Sequence, residues 1–387
     1  MHIAFAITRG DAVGGATVHV RDMARFLLDR GDRATVLVGG ALAGGNDEAL
    51  AELRRCDIPC CLIPSLRRAI HPVHDIGAVR ELTRALRRIK PDLVSTHTAK
   101  AGLLGRIASR AAGIPVIFTP HGWAVSDRIS AVGGRVFRLV ERLAAPLAHT
   151  IVNVCEAEKT LARTHRIAPS HKLTVIHNGV RDIPAAQRAD PSIHPPRLVM
   201  VARFEAPKDH ELLLQALLPL RNFDWQMDLV GSGPREEAML AMATELGLGS
   251  RVHFSGHTID TAGRLGRSQI FVLTSRSEGF PRSILEAMRA GLPVIASDVG
   301  GVSEAVAHRE TGLVVPRNDA ASLTQALATL ILSPALRKAY GRAGRLRYEV
   351  NFTFDGMARQ TVALYDRILN PKPSDIAVPA ETIEGRL

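Results

Sequence analysis

The stretch QIFVLTSRSEGFPRSILEAMRAGLPVIASD, residues 269–298, contains the pattern that decides the fold. An apolar run at 269–275 predicts a buried strand, and a second run at 293–298 predicts another. Between them lie a loop and the segment 283–291, whose apolar spacing is helical and whose last residue, Gly291, is typical of a helix end. Strands that are joined by helical crossovers form a parallel sheet with helices on both faces.

The same alternation continues on both sides of this segment. A stretch rich in proline, alanine and aspartate, 182–197, interrupts it and predicts a domain boundary. We therefore expect an α/β protein with two doubly wound, Rossmann-like domains at 1–183 and 197–350. A helix at 351–369 is predicted to cross back to the first domain, and 370–387 is predicted to be a mobile tail. The other predicted strands are 2–7, 33–40, 92–98, 115–122, 150–156, 197–204, 225–234 (strand and turn) and 251–256, and the other predicted helices are 17–31, 75–92, 101–113, 133–149, 210–221 and 235–249.

The charge of the chain is unevenly distributed. The 387 residues have a formal net charge of +11. Residues 1–185 contain 26 Lys and Arg against 16 Asp and Glu, a net of +10, and the remaining 23 and 22 give +1. This excess predicts an anionic partner for the first half, either phosphate, nucleic acid or a membrane surface, with a solvated arginine-rich face as the alternative. Aromatic residues make up only 4%, which disfavours a nucleic-acid partner.

The composition also indicates the compartment. No run approaches the ~20 apolar residues that span a bilayer, and the first residues lack the pattern of a signal peptide. Four cysteines are too few for a disulfide scaffold, so we expect buried thiols in a reducing cytosol. The expected localisation is therefore cytoplasmic.

Two carboxylates in the quoted stretch are candidate site residues. Glu278 lies on the loop before the helix, and Glu286 lies about one turn inside it, so both can face one cleft. A helix start near Arg282 offers free N–H groups to a phosphate, and Pro281 suits the first helical position. Because carboxylates repel phosphate, we expect both to meet neutral hydroxylated groups such as sugar rings. The alternative is that Glu286 is a surface residue of the helix and that Glu278 is a capping carboxylate.

These residues resemble the E-x7-E signature of retaining, nucleotide-sugar-dependent glycosyltransferases of family 4. That family has the GT-B fold, in which two Rossmann-like domains face each other across a cleft. The resemblance covers about residues 1–369. Further motifs of the family occur in the expected order: Gly14-Gly15-Ala16, TPHGW (119–123), IHNGV (176–180), VARFEAPKD (201–209), VGSGP (230–234) and RVHFSGHTID (251–260).

The resemblance implies a role for each matching residue. Arg203 and Lys208 would hold the leaving diphosphate, Glu278 would lie near the donor sugar, and His121 would contact that sugar. The catalytic candidates are therefore His121, Arg203, Lys208 and Glu278. The donor-binding candidates are Gly14, Gly15, Gly231, Ser232, Gly233, His257, Thr258, Gly279, Phe280, Pro281 and Glu286, of which Glu286 would bind the ribose hydroxyls. Pro281 replaces the small residue that is usual in the family, which removes one N–H donor.

The implied reaction is transfer of a sugar from a nucleotide sugar, a UDP- or GDP-sugar, to a hydroxyl with retention of configuration, without a cofactor. The sequence contains no Asp-x-Asp motif of the kind that holds a divalent metal on a diphosphate. Arg203, Lys208 and the helix start before Ser283 are predicted to take the place of that metal, and the alternative is that Arg203 and Lys208 are a surface pair. A sugar-nucleotide epimerase or hydrolase on the same scaffold is the alternative. The Gly14-Gly15 turn does not match the dinucleotide fingerprint, which counts against a dehydrogenase.

The acceptor is expected on the first domain, where the basic excess lies. His97 and Lys100 follow a predicted strand and are acceptor-side candidates, with Lys100 directed to an acceptor phosphate. A polyprenyl-diphosphate-linked sugar would suit both the charge and an anionic membrane surface, and a soluble acceptor is the alternative. We therefore expect peripheral attachment to the inner face of the cell membrane. The candidate membrane contacts are Arg67, Arg68, Arg84, Arg87, Arg88, Arg135 and Arg138.

Overall fold

The computed structural model describes residues 1–8, 10, 14–40, 48–123, 131–258 and 260–371. These residues form two parallel sheets with helices between successive strands, as the sequence predicts. The predicted tail lies outside the described residues from position 372 onward. Among the described residues, no helix is both long enough and apolar enough to cross a membrane.

The first sheet has the strand order β3-β2-β1-β4-β5-β6-β7 within the described part of the chain. Its strands are β1 (His2–Ile7), β2 (Arg33–Gly39), β3 (Cys60–Ile63), β4 (Leu93–His97), β5 (Val116–Thr119), β6 (Thr150–Asn153) and β7 (Leu173–Val175). The inner strand β1 pairs in parallel with β2 on one side and with β4 on the other. Every residue of β1 is buried, as expected for a strand that helices cover on both faces.

The second sheet has the order β10-β9-β8-β11-β12-β13. Its strands are β8 (Arg197–Val201), β9 (Gln226–Val230), β10 (Val252–Phe254), β11 (Ile270–Leu273), β12 (Val294–Ser297) and β13 (Gly312–Val315). Parallel pairing joins β8 to both β9 and β11. The strand order therefore reverses direction between β8 and β11, and ligands of doubly wound sheets bind outside the carboxyl ends of the strands at such a point.

Helices α1 to α6 precede β8, and helices α7 to α14 follow it. The first group is α1 (Gly15–Asp29), α2 (Glu48–Arg55), α3 (Pro72–Ile89), α4 (Ala99–Ala112), α5 (Ala131–Ala144) and α6 (Glu156–Thr164). The second group is α7 (His210–Leu217), α8 (Glu236–Glu245), α9 (Thr261–Gly266), α10 (Arg282–Ala290), α11 (Val302–Ala305), α12 (Ala320–Leu332), α13 (Pro334–Asn351) and α14 (Phe354–Leu369).

Contacts between residues divide the chain into two compact units. Unit 1 comprises residues 1–119, 144–151 and those from Ala358 onward, and unit 2 comprises 120–143 and 152–357. Within unit 1, Tyr365 of α14 is buried and hydrogen-bonds Ser95 of β4, and burial raises the pKa of its phenol. The domain bounds predicted from sequence, and the crossing of the 351–369 helix, stay predictions.

The expectation for the cysteines is wrong in part. Cys155 is buried, and burial raises the pKa of its thiol. Cys56, Cys60 and Cys61 are only partly buried, and the last two belong to β3, a short strand that the sequence analysis did not predict. Burial raises the pKa of the Cys60 thiol as well.

Candidate active site

Two loops meet at the point where the second sheet reverses its strand order. One follows β8 and the other follows β11. Main-chain hydrogen bonds join them: Asp209 N–H donates to Thr274 O at 3.0 Å, and Arg276 N–H donates to Pro207 O at 2.9 Å. The Thr274 hydroxyl also donates to Asp209 O at 2.7 Å. These hydrogen bonds hold the two loops together and so fix the positions of the side chains that they carry.

The two loops bring a cation and a carboxylate together. Lys208 Nζ donates to Glu278 Oε1 at 2.5 Å, and their side chains are only 18% and 11% exposed. Arg203 contacts Glu205 through two nitrogens, at 3.1 and 3.3 Å. Each predicted diphosphate cation therefore has a carboxylate within hydrogen-bonding distance.

A glycine turn after β9 packs closely against the β8 loop. Gly231 and Gly233 have φ angles of 150° and 159°, and a Cβ at Gly231 would overlap Ala202 O. Phe204 N–H donates to Ser232 O at 3.1 Å across the same contact. Glycine is needed here because a side chain would push the loop of Arg203 away.

The loop after β10 adjoins this turn. Gly231 N–H donates to Gly256 O at 2.9 Å, which places His257 and Thr258 directly after the contact. His257 is exposed and Thr258 is half-buried, and Thr258 Oγ1 accepts the N–H of Asp260 at 3.1 Å. Both predicted base contacts therefore lie on the loop at the carboxyl end of β10.

Helix α10 begins at Arg282, as the sequence indicates, but Pro281 has a different position. It is the N-cap residue, with φ −70° and ψ 117°, and the prediction that it occupies the first helical position is wrong by one residue. Its missing N–H therefore lies just before the first helical residue. Glu286 is half-buried one turn inside α10, where the predicted ribose contact would have to be.

Phe280 and Gly279 lie between Glu278 and this helix start. Phe280 is buried, its ring centroid lies 4.9 Å from that of His177, and its carbonyl accepts the side-chain amide of Asn178 at 2.8 Å. A Cβ on Gly279 would lie 3.3 Å from Glu158 Oε1 and 3.4 Å from the main-chain oxygen of His121. The backbone at Gly279 is therefore in close contact with the neighbouring loop of unit 2.

His121 occupies a strained position in that neighbouring loop. Its φ is +56°, which is uncommon for a residue with a side chain. Trp123 holds the loop: its N–H donates to Glu158 Oε1 at 3.0 Å and its indole donates to Asn153 Oδ1 at 3.1 Å. Burial, with a smaller effect of the Arg282 charge, lowers the pKa of His121 to about 3, so the imidazole is neutral at physiological pH.

A second glycine pair supports Glu278 from the other side. Gly300 has a φ of +56°, and a Cβ there would overlap Glu278 O. Gly301 N–H donates to Gly279 O at 2.8 Å. The main chain on both sides of the Glu278–Gly279 peptide is therefore fixed by close backbone approach.

Glu304, which follows this glycine pair, caps another helix. Its two carboxylate oxygens accept the N–H groups of Glu156 and Ala157, at 2.8 and 2.7 Å, at the start of α6. His177 Nε2 lies 2.8 Å from the same carboxylate. Because α6 carries Glu158, this cap also helps to position the loop of His121.

A buried histidine follows the β8 loop. His210 begins α7, and its ring stacks on Phe204 at 4.2 Å. Burial, with smaller effects of the Lys208 and Arg235 charges, lowers the pKa of His210 to about 4. The imidazole is therefore neutral at physiological pH.

In unit 1, the predicted donor loop opens helix α1. Gly14 is the N-cap residue with an extended backbone, and Gly15 is the first helical residue. A Cβ at Gly14 would meet nothing within 4 Å among the described residues.

The two acceptor-side candidates have partners within unit 1. His97 is buried at the end of β4, and its Nε2 lies 2.9 Å from Ser95 Oγ. Lys100 Nζ lies 2.6 Å from Asp75 Oδ1 and also donates to Ala69 O. The structure thus makes His97 a residue of the core, and it places the Lys100 charge beside a carboxylate.

The candidate membrane arginines lie on the surface. Arg84 is exposed on α3, Arg87 donates to Ala111 O at 2.9 Å, and Arg88 lies 3.7 Å from Cys61 Sγ. Within the described ranges, no ion pair involves the seven candidates, which are Arg67, Arg68, Arg84, Arg87, Arg88, Arg135 and Arg138. Arg67 donates to Pro64 O at 3.3 Å, Arg68 and Arg135 are exposed, and Arg138 is half-buried.

Three carboxylates of this region were missed by sequence reasoning. Glu205 lies two residues after Arg203 in the quoted motif, so the local spacing could have indicated the ion pair. Glu304 follows the Gly300-Gly301 turn, but the sequence contains no signal for the helix that it caps. Glu158 contacts a loop 35 residues away along the chain, which local patterns do not report.

Two family models match the chain. Residues 14–179 match the model described as Glycosyl transferase 4-like domain, and residues 186–347 match Glycosyl transferases group 1. Together with the two parallel sheets and the strand-end site, these matches define a glycosyltransferase. The family matches favour this class over the epimerase or hydrolase alternative.

Individual proteins agree with this class. The chain is 30% identical over 285 residues to UDP-Gal:alpha-D-GlcNAc-diphosphoundecaprenol alpha-1,3-galactosyltransferase of Escherichia coli, covering 68% of this chain and 73% of the relative. Among solved structures, it resembles sucrose-phosphate synthase from Thermosynechococcus elongatus, with a TM-score of 0.83, 23% identity and coverage of 95% and 98%. It also resembles Anabaena HepE in complex with UDP-glucose, with a TM-score of 0.80, 21% identity and coverage of 95% and 99%. The chain belongs to the family 4 glycosyltransferases with the GT-B fold, and the predicted family and fold are confirmed.

Proposed function

We propose that this protein transfers a hexosyl group from a UDP- or GDP-sugar to a hydroxyl of a polyprenyl-diphosphate-linked acceptor, with retention of configuration and without a bound metal. The observation that carries the proposal is the Lys208–Glu278 pair at the reversal point of the second sheet, close in sequence to Arg203 and to the start of α10. A cation, a carboxylate and a helix N-terminus are what a sugar diphosphate needs at one place.

The charges support a donor of this kind. The diphosphate would lie against Arg203, Lys208 and the amide groups at the start of α10, and it would replace the carboxylates that now neutralise the cations. The sugar hydroxyls would meet Glu278, and the ribose hydroxyls would meet Glu286. Carboxylates accept hydrogen bonds from hydroxyl groups and repel phosphate. The hydroxylated parts of the nucleotide sugar would therefore lie at the glutamates and its diphosphate at the cations.

The reaction would proceed on one face of the sugar. The bond between the anomeric carbon and the diphosphate oxygen breaks, and a bond from that carbon to the acceptor oxygen forms. The acceptor proton passes to the departing diphosphate oxygen. Arg203 and Lys208 stabilise the charge that develops on the diphosphate, which is the interaction that lowers the barrier. The neutral His121 would lie beside the sugar and would add no positive charge where an oxocarbenium-like centre develops.

The acceptor assignment has two supports. The Escherichia coli relative carries a diphosphoundecaprenol acceptor in its name. Residues 1–185 of this chain also have a net charge of +10, which suits an anionic lipid-linked substrate at a membrane surface. The proposed location of the reaction is therefore the inner face of the cell membrane, with the protein attached peripherally.

A thermal-shift panel of UDP-, GDP- and ADP-sugars tests the donor. A ligand that binds the native state stabilises it by about 2.7 kcal/mol at about 100 times its Kd, so we expect an upward shift of Tm with one nucleotide and not with the others. Glu286→Ala should reduce the shift, because it removes the predicted ribose contact, and Lys338→Ala, which removes an exposed lysine of α13, should keep it. If all nucleotide sugars leave Tm unchanged, the donor proposal fails.

The metal-free part has its own test. Transfer should continue at its full rate after dialysis against EDTA, because the proposal gives the diphosphate charge to Arg203 and Lys208. Loss of activity with EDTA, followed by recovery with Mg²⁺ or Mn²⁺, would contradict it.

A further inference from the structure

Helix α5 has an exposed face on which apolar and cationic side chains run side by side. Val136, Leu139 and Leu143 are 55%, 54% and 70% exposed. Their spacing of three and four residues places them in one stripe along the helix. Large apolar side chains that lie exposed in a row indicate a surface that binds something.

A second stripe with the same spacing lies one residue earlier. Arg135, Arg138 and Arg142 each precede one of the three apolar residues by one position, which places their stripe about 100° around the helix from the apolar one. Arg142 also donates to Arg166 O at 3.0 Å and to His165 O at 3.1 Å. These acceptors are neutral, so the positive charge of the stripe is not cancelled.

The acidic residue of α5 points the other way. Glu141 is 1% exposed and therefore lies on the packed side of the helix. In the described part of the chain, no ion pair involves Arg135, Arg138 or Arg142. The exposed face thus combines apolar contact with uncompensated positive charge.

We propose that this face of α5 lies in the interface of an anionic phospholipid membrane. The three apolar side chains would enter the boundary between headgroups and acyl chains, and the arginines would contact lipid phosphates. A helix of 14 residues is about 21 Å long and amphipathic, which suits a position in the plane of the interface. The proposal rests on the proposed function only in one respect: it would bring the protein to the membrane that holds a lipid-linked acceptor. Membrane binding by this face does not depend on the reaction.

A negatively charged bilayer fits this face better than a second copy of the chain. A second copy would bring Arg135, Arg138 and Arg142 close to the same three arginines, because a two-fold interface uses the same patch on both subunits. Like charges facing each other would oppose that contact. Anionic lipid headgroups complement the charge of the arginines, and the acyl chains offer an apolar environment to the apolar stripe.

The test is co-sedimentation of the full chain with vesicles, in the absence of donor and acceptor. We expect binding to phosphatidylcholine–phosphatidylglycerol vesicles, weakening as salt rises, and much weaker binding to phosphatidylcholine alone. Leu139→Gln with Leu143→Gln should lower binding by about tenfold or more, because two apolar side chains no longer enter the interface. Arg135→Glu with Arg138→Glu should lower it at least as much, and Arg135→Lys with Arg138→Lys should keep it.

Helix α13 offers a matched control. Leu346 and Val350 are exposed apolar residues on that helix, and Leu346→Gln with Val350→Gln should leave vesicle binding unchanged. Thermal unfolding of each variant verifies that it is folded. Unchanged binding after the α5 substitutions, or no binding to either vesicle, would overturn the proposal. So would a concentration-dependent dimer in sedimentation that Leu139→Gln with Leu143→Gln abolishes.

The same samples separate this proposal from the proposed function. If the α5 variants lose vesicle binding but transfer sugar normally to a short-chain, water-soluble acceptor, the membrane face is supported independently of the chemistry. If vesicle binding behaves as expected while no nucleotide sugar is used, the membrane face stands and the transferase donor assignment fails. If transfer occurs and vesicle binding does not depend on α5, the membrane face alone fails.

Discussion

The cations at the strand ends of the second sheet differ from those on α5 in what surrounds them. Lys208 and Arg203 have carboxylates at 2.5 to 3.3 Å, and Lys208 is largely buried. The α5 arginines lie beside exposed leucine and valine side chains. A buried cation that already has a counter-charge is suited to exchange that partner for a ligand, whereas an exposed cation beside apolar groups is suited to a surface. Substitutions in the first set should change chemistry, and substitutions in the second should change location.

The largest effect is expected at Lys208. Lys208→Ala removes a charge that stabilises the departing diphosphate, so kcat should fall by about 10²–10³-fold, with a smaller change in KM. Steady-state transfer rates at saturating donor measure this. A normal kcat with a raised KM would mean that Lys208 binds the ground state only, and the distinction between the two sets of cations would weaken.

The next effect is expected at Glu286. Glu286→Ala should weaken donor binding by about 1.5–3 kcal/mol, roughly 10- to 150-fold, because the ribose hydroxyls lose a charged acceptor. Isothermal titration with the donor checks this, with Glu286→Gln as the variant that keeps the shape. Unchanged affinity in a folded Glu286→Ala protein would remove the ribose role.

A moderate effect concerns pH. Burial and nearby cations depress the pKa of His121 to about 3 and of His210 to about 4, below the usual value near 6.5. The unfolded chain therefore binds more protons than the native protein between these values, and stability should fall as pH drops from 6.5 towards 4. Each histidine contributes a slope of up to about 1.4 kcal/mol per pH unit.

Urea unfolding at several pH values between 7 and 4 measures the slope. His210→Gln should flatten it, because that position no longer titrates. If wild type and His210→Gln lose stability in parallel, the depressed pKa that burial gives to His210 is wrong.

The smallest effect is expected on α3. Arg84, Arg87 and Arg88 are near the end of that helix, whereas its exposed apolar residues Val73 and Ile76 are in the first two turns. Ile76 and Arg84 are eight residues apart, about 12 Å along the helix, so charge and apolar contact are separated. Charge reversal at the three arginines should lower vesicle binding only by long-range electrostatics, and the loss should disappear at high salt. A loss as large as that from α5 would show that charge alone governs attachment.

Much of the fold could be predicted from sequence because apolar runs and helical spacing are local. The predicted strand at 2–7 coincides with β1, and the helix at 283–291 differs from α10 by one residue at each end. The missed elements include the strands β3 and β13 and the helices α12 and α13. Length alone does not explain these misses, because β11 and β12 also have four residues and were predicted. Predicted strands also ran past their ends, as at 197–204, because the loop that holds Arg203 is itself apolar in part.

The site residues that belong to a sequence motif could be predicted. The contacts between side chains that are distant in the sequence could not. The motif places Lys208 and Glu278 at neighbouring loops, and the structure brings them into contact. The pairing of Arg203 with Glu205 and the cap of α6 by Glu304 depend on the conformations that these side chains adopt in the folded protein. Neither the burial of His97 nor its bond to Ser95 follows from a strand-end position in the sequence.

The most direct test of the central claim is the stereochemistry of transfer. The full-length protein would be incubated with a panel of α-linked UDP- and GDP-sugars and a polyprenyl-diphosphate-linked acceptor, and the new glycosidic bond would be examined by NMR. We expect one productive donor and an α-linked product, since displacement on one face retains the configuration. A β-linked product, or free or epimerised sugar with no new bond to the acceptor, would contradict it.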